Sequence, residues 1–286
     1  MAVFTKERLK TINFTLKRLI VIIDDIDEII IVVDRNRELH RYLEKKYRSY
    51  LGIKILDNNG EGLSKARNTA IMECKSEYIA FLDDDAIPSF SWINFIEKKK
   101  YINYEILGGP TIPLFVKGHN NRLPFSLYWI YGCTFPPIYD HNKIHEIENP
   151  IGANMIFKTN LLLKVNGFET NYGRNRKRLL SGDETQVCHK LRLLGVQIIF
   201  HPEMMVEHKV PVSRLKLKYW IKRSYYEGYS KGLMNNSDKT FKLRKEFNYV
   251  NYLTKKLLRS NIDKSIIIII ILISTGLGYV NGLMRR

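Results

Sequence analysis

Short apolar runs of strand length alternate with helical patterns through the first two thirds of the chain. Ile29–Val33 is an unbroken run of five β-branched residues, and Tyr78–Leu82 is a second apolar run of the same length. Such runs are typical of strands that are buried on both faces of a parallel sheet. Before the first run, apolar residues recur at helical spacing, and these are Leu9, Ile12, Leu16, Leu19 and Ile23. The alternation predicts βαβ units and an α/β fold.

Further elements continue the alternation. The patterns predict helices over 39–50, 63–74 and 184–194 and strands over 53–56, 153–157 and 196–200. Residues 117–150 interrupt the pattern with aromatic residues, Pro, Asn and His, and we interpret this stretch as a long functional loop. In open α/β sheets, ligands bind beyond the carboxyl ends of the strands. Acidic residues at those ends are therefore the first candidates for a site.

Three consecutive carboxylates, Asp83, Asp84 and Asp85, directly follow the second apolar run. Carboxylates at Asp-x-Asp spacing can serve different ligands, one holding a ribose and the other a divalent cation. A hard cation such as Mg²⁺ or Mn²⁺ would neutralise the charge of a diphosphate leaving group. An acidic triplet alone is more often a solvated turn, but its place after a buried strand favours a functional site.

Three other candidate residues lie at the end of a predicted strand or near the start of a predicted helix. Asp34 ends the first apolar run, where a turn or N-cap aspartate is equally consistent with the pattern. Lys65 and Arg67 lie in the first turns of the predicted helix 63–74, close to a possible phosphate or base site. Exposed basic residues on a helix surface are the alternative there.

Two further candidates lie later in the chain. Asp183 and Glu184 begin a helix after Gly182, and they either compensate the helix dipole or include a general base. His208 is either a third metal ligand or a hydrogen-bonded core histidine.

The net charge of +17 is concentrated near the C-terminal end. Between Lys209 and Lys264 there are fifteen Lys or Arg residues and four Asp or Glu residues. Such a block attracts an anionic surface, either nucleic acid or acidic lipid headgroups. Nearby aromatic residues such as Tyr219 and Trp220 would suit base stacking, so the nucleic-acid alternative stays open on composition alone.

The segment that follows decides in favour of lipid. Residues 265–284 carry no charge and are about as long as a bilayer core requires. The second half contains Ser, Thr, Asn and three glycines, so a re-entrant or interfacial helix is an alternative to a spanning one. We predict a membrane partner and no nucleic acid, and we expect a chain ending at Lys264 to keep an intact catalytic domain.

In their order and spacing, six segments resemble glycosyltransferase family 2, the inverting group with a GT-A fold. The segments are Thr5-Lys6-Glu7-Arg8, Val32-Val33-Asp34, Gly62 to Asn68, Phe81 to Asp85, Gly152-Ala153-Asn154 and Gly182-Asp183-Glu184. The resemblance covers roughly residues 3–223. The chain departs from the family pattern in reading Asp34-Arg35-Asn36-Arg37 after its second strand, in an inverted Asp-Glu pair at 183–184, and in a first strand reduced to Ala2-Val3-Phe4.

The resemblance implies transfer of a sugar from a nucleotide diphosphate donor by single displacement with inversion. It implies that Asp85, with His208, holds Mg²⁺ or Mn²⁺. The residues that it places on the nucleotide sugar are Thr5, Asp34, Lys65, Arg67, Asp83 and Asp84. It also places Glu184 in the base position of a motif shared with Asp183.

We therefore expect a GT-A (Rossmann-like) domain with a mixed sheet flanked by helices over 1–208. Within it, about 1–115 would bind the nucleotide and about 116–208 would form the acceptor side. A basic, aromatic helical region over 209–264 and an apolar membrane-associated helix over 265–284 would follow.

The expected cellular location suggests a class of acceptor, and one alternative function stays open. Three scattered cysteines argue against a disulfide framework and are typical of a reducing compartment. We expect an enzyme at the cytoplasmic face of the cell membrane that acts on a polyprenyl-linked or cell-surface glycan. The alternative is an inactive, truncated GT-A domain serving as a membrane-bound partner subunit. The short first strand favours that alternative, and intact Asp83, Asp85 and Glu184 oppose it.

Overall fold

The computed structural model describes residues 1–58, 60–116, 122–174 and 179–285. Eleven strands lie within these ranges. They are β1 Ala2–Val3, β2 Ile29–Val33, β3 Ile53–Asp57, β4 Tyr78–Leu82, β5 Ala86–Pro88, β6 Ile106–Gly108, β7 Thr111–Phe115, β8 His145–Glu146, β9 Asn154–Lys158, β10 Ile198–Phe200 and β11 Val206–Val210.

Nine α-helices lie within the same described ranges. They are α1 Leu9–Ile20, α2 Arg37–Tyr47, α3 Leu63–Glu73, α4 Phe90–Glu97, α5 Thr159–Lys164, α6 Asp183–Leu193, α7 Leu217–Ser237, α8 Arg244–Leu257 and α9 Ile262–Leu283. Every strand and helix proposed from the sequence corresponds to one of these elements, with ends that agree within three residues. The predicted α/β fold is confirmed.

β2 explains why a run of β-branched residues forms the centre of the sheet. Ile29, Ile31 and Val33 pack into one hydrophobic cluster together with α1 and α2, whereas Ile30 and Val32 pack into a second cluster together with α3. Alternate side chains of a strand point to opposite faces, so every position of β2 meets an apolar layer. No polar position is needed in such a strand.

The central sheet is mixed. β1, β2 and β3 pair in parallel, and a bridge between Ala2 and Asp83 joins β1 to the end of β4. The next strands follow in the order β4-β9-β6-β10-β8, with β9 antiparallel to both of its neighbours. The mixed sheet expected for a GT-A domain is therefore confirmed, and the parallel pairing favoured by the βαβ pattern does not extend to β9. The connection before β9 is a long loop and not a crossover helix, so the rule for parallel βαβ units does not apply to it.

A small third sheet lies beside the end of β4. β11 pairs antiparallel with β5 and parallel with β7, and this register places His208 opposite Ala86. Because β5 begins directly after Asp85, the pairing brings His208 next to the acidic triplet.

The interrupted stretch 117–150 begins with residues outside the described ranges. Its described part contains a 3-10 helix, Phe125–Tyr131, and the short strand β8.

Three helices complete the chain. α7 and α9 run parallel and in close contact, and α8 connects them. Buried Ile268 and Ile271 of α9 belong to the main hydrophobic cluster of the domain. Within the described residues, α9 is the one helix long and apolar enough to cross a membrane by length and composition.

Candidate active site

Thr5, Asp34 and Asp83 follow three neighbouring parallel strands, β1, β2 and β4, and lie at the same edge of the sheet. The Asp34 carboxylate accepts hydrogen bonds from Asn58 Nδ2 at 2.9 Å and from the Gly62 backbone N–H at 3.2 Å. Asp34 therefore holds Asn58 and Gly62 in place before α3. The Thr5 hydroxyl accepts a bond from the Glu7 backbone N–H at 3.3 Å and caps a short 3-10 helix.

The buried guanidinium of Arg67 connects the parts of the site. It donates to Asp183 Oδ2 and to the Gly152 carbonyl, both at 2.8 Å, and it lies 3.5 Å from Asp83 Oδ1. A Cβ at Gly152 would lie 2.8 Å from Arg67 Nη2. Glycine at position 152 therefore allows the backbone to approach this side chain. Lys65, in contrast, is exposed on α3 and does not line the cavity described below.

Asp83, Asp85 and His208 present ligand atoms that all lie within 4.8 Å of one another. Two carboxylates and one imidazole form a donor set that suits Mn²⁺ or Mg²⁺. The residues present therefore fit a divalent cation of the kind expected from the sequence.

Asp85 is buried among cationic groups. Its Oδ1 lies 3.0 Å from His208 Nε2, and its Oδ2 lies 3.0 Å from Arg8 and 3.1 Å from Arg214. Burial alone would raise the pKa of Asp85, but His208 and Arg214 outweigh it and hold the pKa well below its usual range. Asp85 is therefore an ionised carboxylate, which is the form that binds a cation.

Asp84 is not part of this ligand group. It is buried, it accepts a hydrogen bond from Arg8, and its Oδ2 has no hydrogen-bond partner among the described residues. Burial raises the pKa of Asp84 to about 7 against the opposing effect of Arg8. The carboxylate lies behind the site and does not line the cavity.

Asp183 and Glu184 occupy different environments at the start of α6. Asp183 is 2% exposed, and its Oδ2 accepts bonds from Ser64 at 3.0 Å and Arg67 at 2.8 Å. Burial acts to raise the pKa of Asp183, but Arg67 and the hydrogen bonds lower it overall. Glu184 lines the cavity, and burial together with the neighbouring Asp183 charge raises its pKa to about 8. Glu184 is thus the member of the pair able to take up a proton near neutral pH.

One cavity of about 540 Å³ joins these groups to the C-terminal helices. Its polar end is formed by Arg67, Asp83, Glu184 and His208. Tyr131 and Tyr139 of the long loop lie along its side, so the stretch 117–150 does shape the cavity. The far end is lined by residues of α7, α8 and α9, among them Arg223, Lys231, Lys245, Ile271, Thr275 and Tyr279.

Two arginines of the site were not assigned a role from the sequence. Arg8 was noted only as part of a turn motif, and Arg214 lies in the basic block interpreted as facing an anionic surface. Both are bonded to the acidic triplet. Arg223, from the same basic block, is buried and donates to Ser181 Oγ and Glu227 Oε2, both at 2.9 Å. Part of the basic block therefore lies inside the protein.

The three cysteines are free and unpaired with one another. Cys133 and Cys188 are buried, and burial raises the pKa of both thiols. Neither thiol has the low pKa that a reactive cysteine requires.

Comparison with known proteins gives consistent matches. The family model described as glycosyl transferase family 2 matches residues 2–157. A glucosyl-dolichyl phosphate glucuronosyltransferase of Haloferax volcanii is 26% identical over 297 residues, covering 98% of this chain and 94% of the relative. A pre-mycofactocin glycosyltransferase of Mycobacterium tuberculosis is 24% identical over 187 residues, covering 63% of this chain and 36% of the relative.

Solved structures share the fold. The mannosyltransferase PcManGT from Pyrobaculum calidifontis, solved with GDP-Man and Mn²⁺, matches with a TM-score of 0.53 and 14% identity and covers 98% of this chain and 71% of that one. GalNAc-T7, solved with UDP, GalNAc and Mn²⁺, matches with a TM-score of 0.55 and 10% identity over 87% of this chain. The chain spans about half, 52%, of that structure.

Proposed function

Because the chain belongs to glycosyltransferase family 2, we propose that it transfers a sugar, with inversion, from a nucleotide diphosphate donor to a lipid-linked acceptor with the help of a divalent cation. One observation carries this proposal. A single cavity contains Asp83, His208 and Glu184 at one end and reaches the helices of the C-terminal region at the other.

The donor end is formed by the edge of the sheet. Asp34 and Arg67 would position the nucleotide, and Asp83, Asp85 and His208 would hold Mg²⁺ or Mn²⁺. When bound, the cation neutralises charge that develops on the leaving diphosphate. Arg8 and Arg214 keep Asp85 ionised. Thr5, Lys65 and Asp84 lie further from the cavity and would act on the donor only through these neighbours.

Glu184 is proposed as the general base that takes the proton from the acceptor hydroxyl. It lines the cavity and its raised pKa matches that task. Asp183 is engaged with Arg67 and Ser64 and serves to position the motif. This division agrees with the family resemblance, which places Glu184 in the base position.

The acceptor end favours a substrate with an anionic group and an apolar chain. Lys231 is ion-paired with Glu246 at 2.9 Å, and Lys245 donates to Asn149 at 3.0 Å. Burial and the Lys231 charge lower the pKa of Lys245, so an anionic group beside Lys245 would stabilise the charged form of this lysine. The Haloferax relative is named for a dolichyl phosphate-linked substrate. A polyprenyl phosphate-linked sugar is therefore the acceptor class that we propose for this end of the cavity.

We place this activity at the cytoplasmic face of the cell membrane. The free thiols of the chain are typical of a reducing compartment, and nucleotide sugars are available on that side. Residues 1–208 would form the catalytic domain and 209–264 the acceptor-binding helical region, with the apolar segment over 265–284 at the lipid.

A panel of nucleotide sugars tests the function. Purified protein with Mn²⁺ should release the nucleoside diphosphate from one donor, a polyprenyl phosphate-linked sugar should increase the release, and a chelator should abolish it. Release that is unaffected by chelator would refute the cation's role. No release from any donor, with or without acceptor, would favour the inactive partner subunit.

A further inference from the structure

One face of α9 is apolar and exposed along the whole helix. Its members follow one another at spacings of three or four residues, and this exposed stripe consists of Ile266, Ile269, Ile273, Leu277, Val280 and Met284. At 1.5 Å per residue, the 22-residue helix is about 33 Å long. The stripe is therefore continuous over a distance comparable to the thickness of a bilayer core.

The opposite face of α9 is packed against the protein over the same length. Ser274 donates to the Ile221 carbonyl at 2.8 Å. A Cβ at Gly278 would lie 2.0 Å from the Tyr225 carbonyl oxygen, and one at Gly282 would lie 2.3 Å from that of Tyr229. This small-xxx-small pattern brings the backbones of α7 and α9 into direct contact. α9 is not a free tail but one half of a rigid helix pair.

The partner helix α7 carries exposed charge level with the middle of α9. Lys218 and Lys222 line a groove between the two helices together with Ile273 and Leu277. If α9 crossed a bilayer, Ile273 would lie near the bilayer centre. Lys218 and Lys222, which line the same groove, would then lie at a similar depth. Charged side chains at that depth are strongly disfavoured. The fold therefore opposes a spanning orientation.

We propose that α9 lies in the plane of a membrane surface, with the exposed stripe immersed in lipid and Lys218 and Lys222 at the anionic headgroups. An apolar face flanked by lysines is the arrangement by which interfacial helices bind anionic lipid. The inference rests on the membrane association proposed above and not on the chemistry of the site.

This orientation also relates the cavity to the lipid. Ile271, Leu272 and Thr275 line the cavity from the inner side of α9, so a single helix separates the membrane surface from the acceptor end. A lipid-linked acceptor could then reach the site without leaving the membrane.

Depth measurements along the stripe test the orientation. In a Cys74→Ser background of the full chain, spin labels are attached at Ile266→Cys, Ile273→Cys and Val280→Cys, and their depth in vesicles of phosphatidylcholine and phosphatidylglycerol is measured by power saturation. Cys133 and Cys188 are buried and do not compete. An in-plane helix predicts three nearly equal depths, about 5–10 Å below the headgroups. A spanning helix predicts a label at 273 about 10 Å deeper than the other two, because seven residues rise about 10 Å; that result overturns the proposal.

Vesicle flotation tests the same surface without labels. Ile273→Glu with Leu277→Glu should reduce binding to the anionic vesicles at least tenfold, while Leu51→Glu, which changes an exposed leucine on α2's side of the domain, should not. Donor hydrolysis in solution should stay unchanged in all variants, which separates failure of docking from failure of the proposed chemistry. Equal binding by all variants contradicts the proposal. So does a dimer in solution that the glutamates dissociate, because the stripe would then cover a second copy.

Discussion

At the scale of single residues, Asp183 and Glu184 are adjacent in the chain, yet their pKa values shift in opposite directions. Arg67 and Ser64 bind the Asp183 carboxylate, whereas Glu184 faces the cavity, where burial raises its pKa to about 8. Neighbouring carboxyl groups can therefore take separate roles, one holding the local structure and the other transferring a proton.

Replacing Glu184 separates these roles. Glu184→Gln should lower kcat by about a hundred- to ten-thousand-fold, because a general base typically contributes that much, and donor affinity should stay close to that of the wild type. Asp183→Asn should instead lower the melting temperature, because buried Arg67 loses an ionised partner. If Glu184→Gln keeps a kcat close to that of the wild type while a well-folded Asp183→Asn is inactive, the base is Asp183 and not Glu184.

The pH dependence follows from the Glu184 environment. A base must be deprotonated to act, and the pKa of Glu184 is raised to about 8, so kcat/KM should rise with pH, reach half its maximum near pH 8 and level off above that value. Below that value it should fall up to tenfold per pH unit, as the ionised fraction falls. A profile that is flat between pH 5 and pH 8 would exclude Glu184 as the titrating base.

Removal of one ligand tests the cation site. Asp85→Asn keeps the shape of the side chain but removes its charge, and it should weaken Mn²⁺ binding at least tenfold in calorimetric titration with a nucleoside diphosphate present. Asp84→Asn is the matched control, since Asp84 contacts Arg8 and lies outside the ligand group. Equal loss of binding in both variants would mean that the triplet acts by charge alone.

Sequence reasoning located the acidic residues because each directly follows a recognisable strand or begins a recognisable helix. It could not locate their partners. Arg8 lies 76 residues before Asp84, and Arg214 lies 129 residues after Asp85. Pairs so distant in the chain are brought together only by the tertiary fold, and a local pattern contains no information about them.

At the scale of elements, β2 was predictable because its five apolar residues meet apolar layers on both sides. β5 and β11 were not predicted, since each depends on pairing with the other and has no marked composition of its own. The contact between α7 and α9 did have a sequence signal. Gly228 and Gly232 match Gly278 and Gly282 in a paired Gly-x-x-x-Gly pattern.

Alanine substitutions at two glycines of α9, one inside the contact with α7 and one outside it, test that contact. Gly278→Ala should destabilise the fold by about 1–3 kcal/mol, because the added methyl group would overlap the Tyr225 carbonyl oxygen. Gly276→Ala meets no atom within 4 Å and should be neutral or stabilising by up to about 1 kcal/mol. Chemical denaturation measures both, and equal stabilities would show that the helices are not in close contact.

At the scale of the whole molecule, the structure revises the role of the last helix. The sequence predicted a membrane-associated helix that the catalytic domain does not require, but buried Ile268 and Ile271 belong to the core of the domain and α9 also lines the cavity. The basic block is likewise divided between residues that face solvent and residues such as Arg214 and Arg223 that are buried near the site. The expectation that a chain ending at Lys264 keeps an intact domain therefore conflicts with the packing.

That truncation is itself a test. A chain ending at Lys264 should unfold at a lower temperature than the full chain and should expose apolar surface that binds a hydrophobic dye. The full chain in detergent is the control. A truncated protein with an unchanged melting temperature and unchanged donor hydrolysis would restore the interpretation of α9 as an independent anchor.

The most direct test of inverting transfer to a lipid-linked acceptor is the anomeric configuration of the product. The full chain is incubated in vesicles with Mn²⁺, its preferred α-linked nucleotide sugar and a polyprenyl phosphate-linked sugar, and the new linkage is determined by NMR. The predicted result is a β-linked product on the lipid that does not form with Glu184→Gln. An α-linked product, or sugar transferred only to water while lipid acceptor is present, would contradict the account.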